Sequence, residues 1–321
     1  MSTTTPKSIL VTGATGRQGG ALIDALLSQP DIEEKFKIFA LTRDINTPRA
    51  QKLLDKSPGV IKLVQGDLNS PGGIFRNINI RDSSSLSSSS SPSYSSHDEE
   101  DHVWGVFSMQ DKDSKVHANY LDPLEVKQAF GLIDEAIKHN VQYFVYTSGD
   151  RGGDALSWTN ETYVPHFKTK LHIEQYLLSQ IQDRESSMTM RWTILRPTMF
   201  YENLQTPNTS FGVKMFMTAY RDTLGPEKRC QRILTKDTAG DEFTFRELDE
   251  VFKSVTGKGV PPTWGLLGSV MKIVARNYGL MLDWFDSDGY GADIEKVREI
   301  HPGLMSLKEW MKEKSVYHKK A

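Results

Sequence analysis

The sequence predicts an α/β fold, a doubly wound parallel sheet covered by helices on both faces, with a smaller, mostly helical C-terminal lobe. Three observations lead there. Short apolar runs alternate with helical patterns through the first half of the chain. Those runs are continuously apolar, as strands buried on both faces are, and do not alternate with polar residues. A glycine-rich turn joins the first run directly to the first helix.

The elements follow in order. Ser8 to Thr12 reads as a buried strand, and Gly20 to Ser28 as a helix with apolar residues on more than one side. Lys37 to Thr42 and Ile61 to Val64 make the second and third strands. Val103 to Ser108 is the fourth, Leu124 to His139 a long helix, and Tyr143 to Thr147 the fifth strand. Right-handed crossovers make the doubly wound order the default for such a series. Past residue 205 the pattern turns mostly helical, with capping boxes at Thr244–Glu247 and Ser306–Glu309. The division expected is a nucleotide-binding domain over 1–205 and a smaller substrate or partner lobe over 206–321.

Composition narrows the function. The chain has 321 residues, 39 basic against 41 acidic, for a net charge of −2. Nothing there makes an electrostatic footprint for direct binding of nucleic acid. Hydrophobic residues reach only 38 %, partly because 11 of the 14 residues from Ser83 to Ser96 are serine. Residues 83–101 end in Asp98-Glu99-Glu100-Asp101 and carry too little apolar surface to offset their ordering entropy. That insert is expected to be disordered, and it stands where the crossover before the fourth strand belongs. A single cysteine, Cys230, excludes a disulfide framework and a cysteine-rich zinc site. The eight histidines show no metal-ligand spacing, so no metal is expected. The N-terminus has no hydrophobic signal core, and Trp264 to Ala275 is too short for a bilayer. A soluble protein of the cytoplasm is expected, with no membrane association and with the nucleus as a second compartment.

The sharpest motif is Val11-Thr12-Gly13-Ala14-Thr15-Gly16-Arg17-Gln18-Gly19, set between a strand and a helix. In that context the glycines have distinct duties. Gly13 allows a tight turn, Gly16 lets backbone approach a pyrophosphate, and Gly19 permits close helix–strand packing. The following helix points its positive end at the phosphates. This is a Rossmann-type cofactor turn. The second strand ends Leu41-Thr42-Arg43-Asp44, with basic and acidic candidates side by side. Arg43 comes first, at the strand exit, where its guanidinium can fork onto a 2′-phosphate, so NADP(H) is expected over NAD(H). Asp67 at the end of the third strand either accepts from the adenine amino group, with Leu68 against the ring, or caps the next helix. Gln110 follows the fourth strand at the crevice where ligands bind in such sheets.

Taken together these residues resemble the NmrA-like family of atypical short-chain dehydrogenase/reductases. The matching stretches are Val11 to Gly20, Leu41 to Asp44, Gln65 to Leu68 and Val103 to Gln110. They continue with His166-Phe-Lys-Thr-Lys170 plus Glu174, and with Arg196-Pro-Thr-Met-Phe-Tyr-Glu-Asn203. The resemblance implies that NADP(H) is lined by Gly13, Ala14, Thr15, Gly16, Arg17, Gln18, Gly19, Arg43, Asp67, Leu68, Gln110, Lys170, Phe200, Tyr201, Glu202 and Asn203. Two departures stand out. The serine tract replaces the usual short crossover before the fourth strand. Asp237 also runs almost directly into Ala239-Gly240-Asp241, where members place a further helix and strand, so the second lobe is expected to be incomplete near 237–240.

Catalysis is the open point. Reductases of this superfamily use a tyrosine four residues before a lysine, because positions i and i+4 share a helix face. Here His166 precedes Lys170 by that spacing. Histidine can carry a proton near neutral pH, although a neighbouring ammonium disfavours the protonated form. Ser148, ending the fifth strand, stands where the substrate-orienting serine usually does. Two functions are expected from this. One is a redox-sensing, regulatory dinucleotide binder that meets a partner protein, in line with the family's regulatory members. The other is an NADPH-dependent oxidoreductase reducing a carbonyl or conjugated small molecule, with Lys170, His166 and Ser148 at work.

Overall fold

The computed structural model describes residues 5–83, 102–110, 123–182, 190–204, 211–226, 229–234, 241–260, 270, 272–273 and 275–317. Contacts group the chain into two units: Met1–Ser114 with Asp122–Thr147 and His172–Leu195, and Lys115–Leu121 with Ser148–Leu171 and Arg196–Ala321.

The first unit is built on β1 (Lys7–Val11), β2 (Phe36–Thr42), β3 (Ile61–Gln65), β4 (Val103–Ser108), β5 (Tyr143–Thr147) and β6 (Arg191–Leu195). They form one sheet in the order β3-β2-β1-β4-β5-β6, every neighbour parallel. The order reverses between β1 and β4, which makes the carboxyl ends of those two strands the switch point where such sheets bind ligands. The helices are α1 (Arg17–Leu27), the short α2 (Ile32–Lys35), α3 (Pro48–Leu54), α4 (Pro71–Ser83) and α5 (Pro123–Lys138). Adjacent side chains on a strand point to opposite faces, and both faces are apolar here. Val11, Ile38, Ala40, Ile61, Leu63 and Phe107 pack with Ile23 of α1 and Ala50 and Leu53 of α3. Leu10, Phe39, Val64, Val106 and Phe144 pack with α4 and α5 on the other side, through residues such as Ile74 and Leu132.

One expectation needs correcting. The serine tract does not take the place of the crossover helix between β3 and β4, because α4 is that helix and ends at Ser83. Pro71 starts it without the loss of a needed N–H, and Ile74, Phe75 and Ile78 give it a buried stripe. The rest of the tract, and its expected disorder, lie outside the described residues, as does the expected gap at 237–240.

The second unit takes α6 (Asp154–Ser157) and the first turns of α7 (Pro165–Gln182). It then has β7 (Met199–Phe200), a 3₁₀ turn (Tyr201–Leu204), α8 (Phe211–Leu224), β8 (Arg229–Leu234) and β9 (Asp241–Thr244). The helices α9 (Phe245–Thr256), α10 (Arg276–Ser287), α11 (Ile294–Ile300) and α12 (Leu307–Glu313) complete it. A small sheet, ordered β7-β8-β9, accompanies the helices. Its core gathers Phe167, Tyr201, Tyr220, Phe252, Trp284, Tyr290 and Trp310. Both capping boxes are formed. Thr244 accepts from Glu247 N (3.1 Å) while Glu247 Oε2 accepts from Thr244 N (2.7 Å). Ser306 and Glu309 repeat the pattern. No helix among the described residues is long and apolar enough to cross a membrane.

Candidate functional site

In the first unit, the turn after β1 is shaped by its glycines. Gly13 has φ +60°, a left-handed conformation that costs a side-chain-bearing residue strain. Gly16 N–H donates to Gly13 O (2.8 Å), closing the turn. A Cβ on Gly16 would sit 3.0 Å from Gly13 O, and one on Gly19 only 2.4 Å from the same oxygen. The backbone of α1 therefore lies against the turn at a separation only glycine permits. Gly16 caps α1 with no side-chain bond, and the first turn holds no acidic residue. Nothing in the helix's own sequence offsets its positive end, so the cradle suits a phosphate or pyrophosphate. Ala14 is buried, Thr15, Gly16 and Arg17 are exposed, and Gln18 is half-buried.

The neighbouring strand end braces this turn. Thr12 Oγ1 and the Met109 backbone are 2.7 Å apart through both the Met109 N–H and its carbonyl. Thr12 N–H donates to Phe107 O (3.0 Å), so the carboxyl ends of β1 and β4 are tied at the switch point. Gln110, next along, is 6 % exposed. Its Nε2 donates to Ser108 Oγ (2.7 Å), and its Oε1 has no partner among the described residues. A buried carbonyl oxygen in that state is one an incoming N–H or O–H donor would satisfy.

At the exit of β2, Arg43 is exposed, whereas Asp44 is committed to its own loop. Asp44 Oδ1 accepts from Asn46 N (2.8 Å), and its carbonyl accepts from Thr42 Oγ1 (3.1 Å) and Thr47 Oγ1 (3.2 Å). Thr47 in turn caps α3 through Ala50 N (3.3 Å). The acidic neighbour thus builds the turn, and the basic one faces solvent. Asp67 closes the turn that precedes α4, its Oδ1 accepting from Asn69 N (2.8 Å) two residues before the helix opens at Pro71. Leu68 is buried against the α4 side of the sheet.

The remaining predicted residues belong mostly to the second unit. His166 and Lys170 sit one turn apart near the start of α7 and are both half-buried. Between them Phe167 turns inward, its ring 4.7 Å from Trp284, and Thr169 Oγ1 donates to Pro165 O (3.0 Å). Ser148 is buried at the head of the loop after β5. Phe200 is half-buried and Asn203 exposed, while Glu202 is 8 % exposed. Tyr201 is fully buried, its ring 5.5 Å from Trp310 and its phenol donating to Asp241 Oδ2 (2.8 Å). Burial, then the Asp241 carboxylate, pushes that phenol far above the usual tyrosine range. Its side chain holds the unit's core together.

The sequence gives no role to the two charged residues of the loop that follows Ser148 and Gly149. Asp150 and Arg151 are 3 % and 0 % exposed. The signal available was the Gly152-Gly153 pair, both at positive φ (+102° and +91°), which marks a backbone forced around something fixed. Among the described residues no cluster of three His, Cys, Asp or Glu is arranged to hold a metal ion.

Comparison with known proteins places the chain. It is 28 % identical over 177 residues to the NmrA-like family domain-containing oxidoreductase ptmS of Penicillium ochrochloron, covering 55 % of this chain and 44 % of that protein. A second relative, oxidoreductase hkm9 of Aspergillus hancockii, is 28 % identical over 178 residues, again 44 % of its length. The chain therefore matches less than half the length of these curated relatives. Among solved structures, Citrobacter sp. triphenylmethane reductase complexed with NADP(H) superposes with a TM-score of 0.63 at 17 % identity, over 95 % of this chain and 99 % of that one. The NADPH-dependent quinone oxidoreductase QOR2 of Escherichia coli with NADPH gives 0.60 at 16 %, over 94 % and 97 %. These likenesses establish the fold. Residues 5–218 match the NmrA-like family, two-thirds of the sequence and every strand of the main sheet, and the chain belongs to that family.

Proposed function

We propose that this chain binds NADP(H) and reduces a small molecule bearing a carbonyl or conjugated system. The observation that carries the binding is the cradle of Gly13, Gly16 and Gly19, with a Cβ excluded at Gly19 by a 2.4 Å approach to Gly13 O. Exposed Arg43 beside a committed Asp44 supports the 2′-phosphate form, and the inward Oε1 of Gln110 supports a ligand donor at the switch point. The two structural neighbours described above are named for NADP(H) or NADPH, and the two relatives are named oxidoreductases, which supports the same reading.

When bound, the cofactor would supply a hydride. The chain's own residues would do the rest. The turn's amides and the positive end of α1 would hold the pyrophosphate, and Arg43 the 2′-phosphate. Lys170 would bind ribose hydroxyls through its ammonium, and His166, four residues earlier, would carry the proton. Ser148 Oγ would orient the substrate oxygen. Phe200 and Asn203 complete the proposed lining.

A second reading, a dinucleotide sensor acting on a partner protein, is favoured by one specific feature. The position four before Lys170 holds histidine and not tyrosine. Assaying NADPH oxidation across a panel of quinones, aldehydes and conjugated ketones separates the two. Turnover lost in Lys170→Ala supports the reductase. Tight binding with no turnover supports the sensor.

A further inference from the structure

The loop after β5 buries a guanidinium that the proposed chemistry leaves without a role. Arg151 is 0 % exposed. One terminal nitrogen donates to the Ser148 hydroxyl (3.3 Å) and to the Gly149 carbonyl (2.8 Å). The other donates to the Ser157 carbonyl. Ser157 Oγ accepts from Arg151 N (2.9 Å), and Asn160 Nδ2 donates to Arg151 O (3.0 Å).

The segment on either side is equally fixed. Asp150 Oδ1 accepts from the amides of Gly152 (3.1 Å), Gly153 (3.1 Å) and Gly291 (2.8 Å). Asp150 N donates to Pro197 O (3.1 Å). A Cβ on Gly153 would lie 2.6 Å from Gly291 O, so the two backbones are in direct contact. The loop is clasped from several sides, and Arg151 is not needed merely to cover it. A buried charge is costly to desolvate, and an apolar side chain of similar volume fills such a space at less cost. What the guanidinium adds is a fixed positive charge at Ser148.

We propose that Arg151 is a positioning residue for Ser148. This rests on the reductase reading above. By donating to Oγ, Arg151 holds the hydroxyl in one place and polarises its O–H, since a hydroxyl that accepts from a cation is a stronger donor. Ser148 then meets the negative charge that develops on a carbonyl oxygen as the substrate is reduced. The substrate class that follows is one with a carbonyl oxygen, such as a quinone or ketone.

The test uses the purified full chain with NADPH and 1,4-benzoquinone. Steady-state kcat and KM and the NADPH Kd are measured for wild type, S148A, R151Q, R151K and the S148A/R151Q double variant. R151Q should lower kcat by about tenfold to a hundredfold, the scale on which a misplaced catalytic group costs rate. Its NADPH Kd should stay within about twofold of wild type, about a fifth of the smaller fold-loss expected in rate. R151Q should add nothing to S148A, because one group acts through the other. R151K, which keeps the charge, should recover part of kcat. Losses that multiply in the double variant, or a kcat in S148A equal to wild type, overturn the positioning role while leaving the reductase reading standing. Should R151Q fail to fold, R151K compared with and without S148A gives the same answer. A wild type that binds NADPH and turns over no carbonyl compound defeats the reductase reading, and this role with it.

Discussion

Gly19 is a residue whose replacement the geometry of the cofactor turn forbids. An alanine there meets Gly13 O at 2.4 Å and Ala14 Cα at 2.9 Å, both backbone atoms that cannot swing aside. Gly19→Ala is expected to lower stability by about 1–3 kcal/mol, as overpacking does, and to weaken NADPH binding as α1 is pushed off the turn. Thermal unfolding and fluorescence titration measure the two. Arg43 is a different case, an exposed side chain on a sound scaffold. Arg43→Ala should cost about 1.5–3 kcal/mol of NADPH binding, the worth of a hydrogen bond to a charged group, and leave NADH binding unchanged. The glycines were readable in the sequence because each answers a local demand of strand, turn and helix. Arg151 was not, because its partners Ser148, Gly149 and Ser157 acquire meaning only once the loop closes on itself.

Elements with a strong local signature were legible, and those without one were not. β4 and β5 are continuous apolar runs, and both capping boxes are written as Thr or Ser followed three places later by Glu. α4 opens Pro71-Gly72-Gly73, which reads as a turn, although Ile74, Phe75 and Ile78 make it a packed helix. β6 escaped because it lies at the sheet edge with Arg191, Trp192, Thr193 and Leu195 exposed, so it lacks the apolar run of its neighbours. The caps make a direct prediction. Thr244→Ala should destabilise the protein by about 1 kcal/mol, read as a lower Tm. At α12, the Ser306 backbone and hydroxyl bonds hold the Glu309 carboxyl below its ordinary value of 4.5. That contribution is present above the ordinary carboxylate range and is lost as pH falls below it.

At the scale of the molecule, the second unit is joined by contacts between distant parts of the chain. Tyr201 donates to Asp241 Oδ2 (2.8 Å), and the same oxygen accepts from Leu307 N (2.6 Å). No local pattern reveals such a junction, since its members are 40 and 66 positions apart. Tyr201→Phe keeps the ring and should cost about 1–3 kcal/mol, through the bond lost and the acceptor left short. Alkali acts on the same bond. Tyr201 and Tyr317 are raised above the ordinary value of 10.0, and Tyr176 is pushed up to about 12, with burial the largest cause in each. The unfolded chain gives up these protons first, so stability is intact below pH 10 and falls as pH rises beyond it. Unfolding followed from pH 8 to 12, a window that brackets the ordinary tyrosine value, should show a smaller loss in Tyr201→Phe, with the same onset. The main sheet and its glycine turn were written locally, whereas the second unit emerges only from long-range packing. The central claim is that the glycine cradle holds NADP(H), and titration of the purified chain with NADP+, NADPH, NAD+ and NADH tests it most directly. Saturable binding that favours the 2′-phosphorylated pair, with the preference lost in Arg43→Ala, is the predicted result. No binding of any dinucleotide, or equal affinity for all four, would contradict it.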